Sequence, residues 1–285
     1  MNEIIEKEEL AAGIFRLQVK SPVIARKREP GQFVVLRLWE TGERIPLTIV
    51  DSDPDAGTIT LIFQVVGKTT HGLALLEEGD SILDLAGPLG KPTRLSLFGR
   101  VVAVGGGLGL APLYPIARAL KDEGNSMVSI IGARTKDLLI LTREMRAISD
   151  ELHIATDDGS LGHHGFVTEV LGQLLEKGEK FDLAVAIGPA PMMKAASEIT
   201  KGYGLSTVVS LNSLMVDGAG MCGGCRVEIG GKTKFACVDG PEFDGHQVNF
   251  DLLIQRLNLY RTQENEAKEG LPAACGKSCD EARKK

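Results

Sequence analysis

The sequence has no excess of basic charge, no long apolar run and no basic amino-terminal leader. Its 32 Lys and Arg residues stand against 38 Asp and Glu residues, which gives a formal net charge of −6. This balance argues against a protein that binds the phosphate backbone of nucleic acids. No stretch approaches the roughly 18 uninterrupted apolar residues of a membrane helix. The opening MNEIIEKEEL is unlike a signal peptide. We expect a cytoplasmic protein with no membrane or nucleic-acid partner.

Cysteine is absent until residue 222, and all five cysteines lie in the last third of the chain: Cys222, Cys225, Cys237, Cys275 and Cys279. Thiols stay reduced in the cytoplasm, so a group of cysteines there indicates a metal centre rather than a disulfide framework. We interpret the last two cysteines as incidental, because they lie in a polar tail.

The chain is long enough, at 285 residues, for two or three domains. Residues 1–98 form the first, because short apolar or alternating runs recur there between turn residues. Strands at such spacing are typical of a sandwich or small barrel. The predicted strands are Ile14–Val19, Gln32–Leu38, Thr58–Val66 and Ser81–Leu85.

Residues 99–211 have a different rhythm, in which apolar strands alternate with helical patterns. This alternation predicts a doubly wound parallel sheet that binds ligands at the carboxyl ends of its strands. The predicted strands are Val101–Val104, Met127–Ile131, Leu152–Ala155, Leu183–Ile187 and Ser206–Ser210. The predicted helices include Pro112–Lys121, Gly165–Glu176 and Pro191–Lys201.

Residues 212–285 form the third segment, which is rich in glycine and cysteine and then becomes helical. A helix that docks on the body or on a partner is predicted from five apolar residues at helical spacing: Phe250, Leu253, Ile254, Leu257 and Tyr260.

The third segment contains the pattern Asp217-x4-Cys222-x2-Cys225-x11-Cys237. Plant-type [2Fe–2S] clusters use C-x4-C-x2-C and a distant fourth cysteine, and here Asp217 holds the first position. We therefore predict a [2Fe–2S] cluster with these four residues as ligands. Two alternatives stay open: a zinc site that recruits Cys275 or Cys279, and a loop in which Asp217 forms a turn and the thiols bind nothing.

A glycine-rich turn follows the first predicted strand of the α/β domain, Gly105-Gly106-Gly107-Leu108-Gly109-Leu110-Ala111-Pro112. A strand, a glycine turn and a helix start together make a phosphate cradle. The match to G-x-G-x-x-G is incomplete, because Leu110 takes the place of the third glycine. From this motif alone a cofactor loop and a structural turn are equally good interpretations.

Taken together, the motifs over residues 1–245 resemble the ferredoxin–NADP reductase superfamily. They comprise the glycine turn, Ile131–Arg134, Asp157–Ser160, Gly188–Met192 and the barrel segment Ile45–Thr48. The resemblance implies an antiparallel flavin-binding β-barrel, a parallel-sheet nicotinamide domain and a small iron–sulfur lobe with a terminal helix. This chain departs from the family's R-x-[YF]-[ST] motif, since Ile45 replaces the arginine and Leu47 the aromatic residue.

The resemblance implies FAD and NAD(H) as further cofactors. Thr48 would be the catalytic residue, hydrogen-bonded near flavin N5. Arg134 leaves the choice between NADH and NADPH open. The implied cofactor-binding residues are Pro46, Leu47, Thr48, Ile62, Phe63, Gln64, Gly67, Thr69, Thr70, Gly105, Gly106, Gly107, Gly109, Ala111, Pro112, Arg134, Asp157, Gly188, Pro189 and Met192.

An iron–sulfur loop after the nicotinamide domain is similar to two kinds of subunit. These are the electron-transfer subunits of dihydroorotate dehydrogenase and the small subunits of NADH-dependent ferredoxin:NADP oxidoreductases, of which Asp217 and the terminal helix favour the latter. The resemblance implies a larger partner subunit with another flavin and [4Fe–4S] clusters. It also implies ferredoxin and NADP as partners of the complex, and it is compatible with electron bifurcation. The alternatives are dihydroorotate oxidation and a zinc-stapled nucleotide-binding module without redox activity.

Overall fold

A computed structural model describes residues 2–269, so that Cys275 and Cys279 lie outside the described residues. The amino-terminal part forms a seven-stranded antiparallel sheet with the order β6-β1-β2-β5-β4-β3-β7, curled into a near-closed barrel. The strands are β1 (Asn2–Ala11), β2 (Ile14–Lys20), β3 (Phe33–Arg37), β4 (Ile45–Asp53), β5 (Thr58–Gln64), β6 (Ser81–Ile82) and β7 (Asp84–Leu89).

Two short helices, α1 (Pro22–Lys27) and α2 (Lys68–Ala74), complete this domain. Three of the predicted strands correspond to β2, β3 and β5, and the fourth is divided between β6 and β7. Alternate residues of β2 and β5 point into the barrel, where Leu17, Leu61 and Phe63 are fully buried. The prediction of a β domain is confirmed, and the barrel is the form it takes.

The second sheet has the order β11-β10-β9-β8-β12-β13-β16 and is parallel except for β16. Its strands are β8 (Arg100–Gly106), β9 (Ser126–Ala133), β10 (Glu151–Thr156), β11 (His163–His164), β12 (Leu183–Ile187), β13 (Thr207–Ser210) and β16 (Glu242–Asp244). The helices between them are α3 (Leu110–Asp122), α4 (Thr142–Ile148), α5 (Val167–Glu176) and α6 (Ala190–Gly202). The predicted doubly wound sheet is confirmed.

The order of strands reverses between β8 and β12, because the chain first builds outward through β9 and β10 and then returns to the other side of β8. Ligands of open α/β sheets bind in the crevice at such a switch point, outside the carboxyl ends of the strands. Here the carboxyl ends of β8 and β12 lead into the two glycine-containing turns that begin at Gly105 and Gly188.

The third segment contributes the hairpin of β14 (Arg226–Ile229) and β15 (Lys232–Phe235), then α7 (Ala236–Asp239), α8 (Phe250–Leu257) and α9 (Arg261–Glu269). It also contributes β16, which pairs with β13, so the segment crosses the boundary predicted at residue 211. The predicted terminal helix is confirmed as far as Leu257. The prediction is wrong for Tyr260, because a turn separates α8 from α9 there. No helix within residues 2–269 is long and apolar enough to cross a membrane.

The barrel and the second sheet meet where α3 packs against β4. Asp51 of β4 accepts two hydrogen bonds from Arg118 of α3, at 2.7 and 3.1 Å, and a third from Arg28, at 3.1 Å. The Arg28 side chain is 7% exposed, so its charge depends on this carboxylate for compensation. Asp51 thus joins two domains by one charged cluster.

We expect Asp51→Ala to destabilise the chain by about 1–3 kcal/mol, the cost of leaving a buried polar group unpaired, because the Arg28 charge loses its partner. Asp51→Asn keeps the shape and removes only the charge, so its loss should be smaller. Urea unfolding of the two variants beside the unmodified protein measures the difference. Equal stability of all three would contradict the role given to this cluster.

Candidate functional site

One large cavity, of about 1160 Å³, lies between the barrel, the second sheet and the third segment. A site for one small molecule usually occupies roughly 300–1,000 Å³. The cavity is therefore larger than this range, and all three parts of the chain contribute to its wall.

The barrel contributes the segment Pro46–Thr48 of β4 and two residues of β5, Ile62 and Gln64. Thr48 lies opposite Phe33 in the pairing of β3 with β4, and Phe33 lines the cavity as well. These predicted flavin-binding residues thus come together on one wall. Arg44 also lines the cavity, although it lies one residue before the family's motif position.

Phe63, a predicted cofactor-binding residue, lies on the opposite face of β5. It is fully buried in the barrel core and stacks on Phe15 with the ring centroids 5.8 Å apart. Successive side chains of a strand point to opposite faces, so the Phe63 side chain points away from those of Ile62 and Gln64. The structure therefore places Phe63 in the core.

The predicted phosphate loop at Gly67, Thr69 and Thr70 begins α2 and lies outside the wall of this cavity. The Thr70 hydroxyl accepts hydrogen bonds from the backbone of Val66 and Gly67, at 3.0 and 2.9 Å. Thr69 is buried, and its hydroxyl contacts Glu43 at 3.3 Å. Both hydroxyls thus have partners that shape the loop.

The α/β domain contributes both glycine turns to the cavity. A Cβ at Gly109 would lie 2.3 Å from the carbonyl oxygen of Ile187, and one at Gly106 would lie 2.6 Å from Met192 Sδ. The turns therefore approach each other as closely as they do only because side chains are absent. Several further predicted residues line the cavity: Gly107, Ala111, Pro112, Arg134, Asp157, Gly188 and Pro189.

Gly105, also a predicted site residue, lies behind this wall. A Cβ there would be 2.6 Å from Leu110 and 2.8 Å from Leu113, both in α3. Its role is the close packing of β8 against the helix.

The remaining wall is formed by Leu211–Met215, which follow β13, and by Arg256, Leu257 and Tyr260, in α8 and the turn after it. The sequence pattern placed Leu257 and Tyr260 on a docking helix but identified none of these residues as part of the site, because nothing in their local pattern distinguishes them from an ordinary loop and helix. A second cavity of about 250 Å³ adjoins this wall and is lined by Cys222 and Arg226 among others. One wall thus separates the large cavity from the second cavity, which the cluster loop lines.

The predicted cluster ligands form two close pairs. Asp217 Oδ1 lies 3.3 Å from Cys222 Sγ, and Cys225 Sγ lies 3.1 Å from Cys237 Sγ. No group of three or more His, Cys, Asp or Glu side chains within residues 2–269 converges closely enough to hold one metal ion. The four predicted ligands are therefore arranged as two pairs, Asp217 with Cys222 and Cys225 with Cys237, and do not surround a single metal position.

The two pairs differ in their surroundings. Cys225 and Cys237 are buried, at 2% and 1% exposed, whereas Cys222 is exposed. Burial, with the neighbouring Cys225, raises the pKa of Cys237 to about 12. Without a cation, this thiol is therefore neutral, and a bound metal would have to favour its thiolate.

Asp217 is held by the loop that it begins. Its carboxylate accepts backbone hydrogen bonds from Ala219, Met221 and Cys222, at 3.1, 3.1 and 2.9 Å. These amides lower the pKa of Asp217, so the side chain is an anion. Gly218, with φ of +73°, allows the tight turn. Asp217 shapes the loop, as the turn interpretation required, and it also presents an anionic oxygen beside Cys222.

A largely buried carboxyl group, that of Glu242, lies next to the site on β16. Glu242 follows Pro241, which lines the large cavity, and its Oε1 accepts a hydrogen bond from Thr93 Oγ1 at 2.5 Å. Burial raises the pKa of Glu242 from 4.5 to about 7, against a smaller opposite effect of Thr93. The folded protein therefore holds a proton on Glu242 that the unfolded chain has already released near pH 6.

Because the folded-state pKa is the higher one, the contribution of Glu242 to stability is most favourable at low pH and becomes less favourable as pH rises from about 4.5 to about 7. The loss is at most about 3 kcal/mol, since one pKa unit corresponds to about 1.4 kcal/mol. We expect Glu242→Gln to remove this part of the pH dependence, measured by urea unfolding between pH 5 and pH 8. Glu123→Gln, at an exposed position, should keep it. An identical pH profile for Glu242→Gln and the unmodified protein would contradict the assignment.

Comparisons with known protein families match the two later parts of the chain. Residues 103–198 match an oxidoreductase NAD-binding domain. Residues 212–249 match the iron–sulfur cluster binding domain of dihydroorotate dehydrogenase B, a range that includes all four predicted ligands. The predictions of a nicotinamide domain and of an iron–sulfur lobe are confirmed at this level.

Similar proteins cover the whole chain. The dihydroorotate dehydrogenase B (NAD(+)) electron transfer subunit homolog of Thermotoga maritima is 49% identical over 98% of this chain and 98% of its own. The electron transfer subunit of Geobacillus thermodenitrificans is 35% identical over 86% and 96%. A solved structure of NADH-dependent reduced ferredoxin-NADP oxidoreductase, studied for flavin-based electron bifurcation, has 49% identity and a TM-score of 0.90 over 94% of this chain and 97% of that one.

Proposed function

The chain belongs to the family of dihydroorotate dehydrogenase B electron-transfer subunits and their homologues, and from this premise we propose that it accepts hydride from NADH and passes single electrons to a larger subunit. Bound FAD supplies the conversion between two-electron and one-electron chemistry, and a [2Fe–2S] cluster supplies the one-electron relay. The chain itself positions these groups.

One observation carries the proposal: a single cavity touches the barrel strands, both glycine turns and the base of the cluster loop. Thr48 and Gln64 lie on the barrel wall, where they can hydrogen-bond a flavin ring. The turns at Gly106 and Gly188 face it, where they can hold a nicotinamide nucleotide. This arrangement supports direct hydride transfer between two cofactors that share one cavity.

The pairing of the predicted ligands supports a two-iron centre over the zinc alternative. A structural zinc ion takes four ligands arranged around one point, whereas each iron of a [2Fe–2S] cluster takes two protein ligands. Asp217 with Cys222, and Cys225 with Cys237, supply two such pairs. The zinc alternative also needs Cys275 or Cys279, which lie outside the described residues.

We infer that the partner is a larger subunit of an NADH-dependent reduced ferredoxin-NADP oxidoreductase, because the similar structure of that enzyme covers nearly the whole of both chains. The names of other relatives favour a second candidate, a dihydroorotate dehydrogenase. The proposals therefore differ in the substrate of the partner and agree on this chain's electron transfer.

The test begins with an anaerobic spectrum of the purified chain, with flavin, iron, sulfide and zinc measured on the same sample. One FAD, two irons and two sulfides, bleached by NADH, are expected. One zinc and no flavin would overturn the proposal. Purification from the native source then identifies the partner. NADP reduction by NADH with reduced ferredoxin supports the first candidate, and NAD reduction by dihydroorotate supports the second.

A further inference from the structure

Two arginines hold the glycine turn between the second and third predicted cluster ligands. Arg226 Nη1 donates a hydrogen bond to the carbonyl oxygen of Gly223 at 2.8 Å. Arg256 Nη2 donates one to the carbonyl oxygen of Gly224 at 3.0 Å. Two consecutive peptide units of the turn therefore each have a guanidinium group on their carbonyl side.

These carbonyl contacts fix the direction of the amide groups in the same peptide units. In a planar trans peptide the C=O and N–H bonds point in opposite directions, and both units are trans. While Arg226 holds the Gly223 carbonyl, the N–H of Gly224 points the other way and donates to Cys222 Sγ at 3.4 Å. Arg226 thus helps to aim an amide hydrogen at the sulfur of a predicted ligand. Arg256 likewise turns the N–H of the next peptide unit away from α8.

Both arginines come from elements that are tied to each other. Arg226 begins β14, and Arg256 lies in α8, one turn after Leu253, which is 2% exposed. Asn249, just before α8, donates hydrogen bonds from its backbone N–H and its side-chain amide to Glu228 of β14, both at 2.9 Å. The helix and the strand therefore present the two guanidinium groups to the turn from a fixed frame.

The positive charges of the two arginines are not neutralised by nearby carboxylates. Both side chains line the second cavity together with Cys222, and no Asp or Glu of the described chain lines it. Neither guanidinium forms an ion pair with a carboxylate of residues 2–269. Arg226 is exposed and Arg256 is partly buried, so the charge of Arg256 is less screened by water.

We propose that Arg226 and Arg256 are positioning residues that raise the reduction potential of the [2Fe–2S] cluster. The inference rests on the proposed function, because it takes the four predicted ligands to hold that cluster. Four anionic ligands leave the cluster with a net negative charge, which grows when it accepts an electron. Amide hydrogens directed at sulfur and positive charges nearby both stabilise the reduced form more than the oxidised form. The two arginines therefore favour electron transfer onto the cluster.

The test is the substitution Arg256→Gln in the full-length protein with its cofactors. Glutamine can still donate a hydrogen bond but carries no charge. We expect the midpoint potential of the cluster to fall, so that the ratio of reduced to oxidised cluster at a fixed potential decreases about tenfold. That is the order expected for one unit charge about 10 Å away at an effective dielectric constant of about 20. A redox titration followed by the electron paramagnetic resonance signal of the reduced cluster measures it.

Three further variants sharpen the test. Arg256→Lys keeps the charge and should shift the potential less than Arg256→Gln. Arg226→Gln should lower the potential by a smaller amount, because its charge is more screened. Arg261→Gln is the matched control, since it removes a positive charge from an exposed position in α9 that donates no hydrogen bond to the turn. It should leave the potential unchanged.

The outcomes separate the inference from the proposal on which it rests. Unmodified protein that holds no reducible two-iron cluster overturns both. An unchanged or higher midpoint potential in Arg256→Gln overturns the inference alone. Lower iron content or a lower thermal midpoint with an unchanged potential also overturns it, since the contact would then be structural only. Should Arg256→Gln retain no iron, the same measurement on Arg226→Gln decides.

Discussion

Replacing Cys225 by serine is expected to remove nearly all iron from the chain while FAD stays bound. Cys225 is buried against Cys237 at 3.1 Å, and no other Cys or His side chain of residues 2–269 stands ready to take its place. A serine hydroxyl is a much weaker ligand for iron than a thiolate. The measurement is iron and FAD content together with the electron paramagnetic resonance signal of the reduced protein.

The Cys225→Ser substitution should likewise affect two activities of the protein differently. Oxidation of NADH with an artificial acceptor that reacts with the flavin should continue, whereas electron delivery to the partner subunit should be lost. Met221→Ala is the matched control, because Met221 precedes Cys222 in the same loop and is 88% exposed. It should retain two irons. A Cys225→Ser protein with two irons and the unmodified resonance signal would show that the ligand assignment is wrong.

Replacing Gly109 by alanine is expected to weaken NADH binding more than tenfold and to destabilise the α/β domain by about 1–3 kcal/mol, the cost of overpacking. The added Cβ would lie 2.3 Å from Ile187 O and 2.6 Å from the Gly188 Cα, so the two turns must separate. FAD content should stay unchanged, because the barrel strands are not touched. Isothermal titration with NADH and thermal unfolding measure the two effects.

Gly172→Ala is the control for the general effect of alanine. Gly172 lies in α5, and a Cβ there meets nothing within 4 Å. Alanine favours a helix by about 1 kcal/mol over glycine, so this variant should be slightly more stable and bind NADH normally. If Gly109→Ala had the same NADH affinity and thermal stability as Gly172→Ala, the close approach of the turns would not be needed for NADH binding.

The parallel sheet could be predicted well from the sequence because its central strands are buried on both faces. Such strands have continuous apolar sequences, and β12 was predicted with its observed bounds, Leu183–Ile187.

The strands of the barrel were harder to predict. β1 is rich in glutamate and has one fully buried residue, Ile4, so no period of two is visible in Asn2–Ala11. β4 begins with Ile-Pro, and a proline such as Pro46 argues against a strand when only the neighbouring residues are considered.

The candidate site was predictable to the extent that local motifs carry it. Gly106, Gly109 and Gly188 lie in recognisable turns, and the cluster pattern lies within a stretch of 21 residues, from 217 to 237. The wall residues Leu211–Met215 and Arg256 have no such motif. They line the cavity because of the way that the third segment returns to the barrel, which depends on long-range packing that no local pattern records.

The pairing of β16 with β13 has a consequence for the integrity of the second sheet. Without β16, β13 would be an edge strand of a parallel sheet, with a row of unpaired amide and carbonyl groups. Such open edges recruit other chains and lead to aggregation. The segment that carries the predicted cluster ligands therefore also protects the edge of the nucleotide domain. A chain shortened to end at residue 211 would expose that edge, so loss of the electron relay and loss of solubility should arrive together.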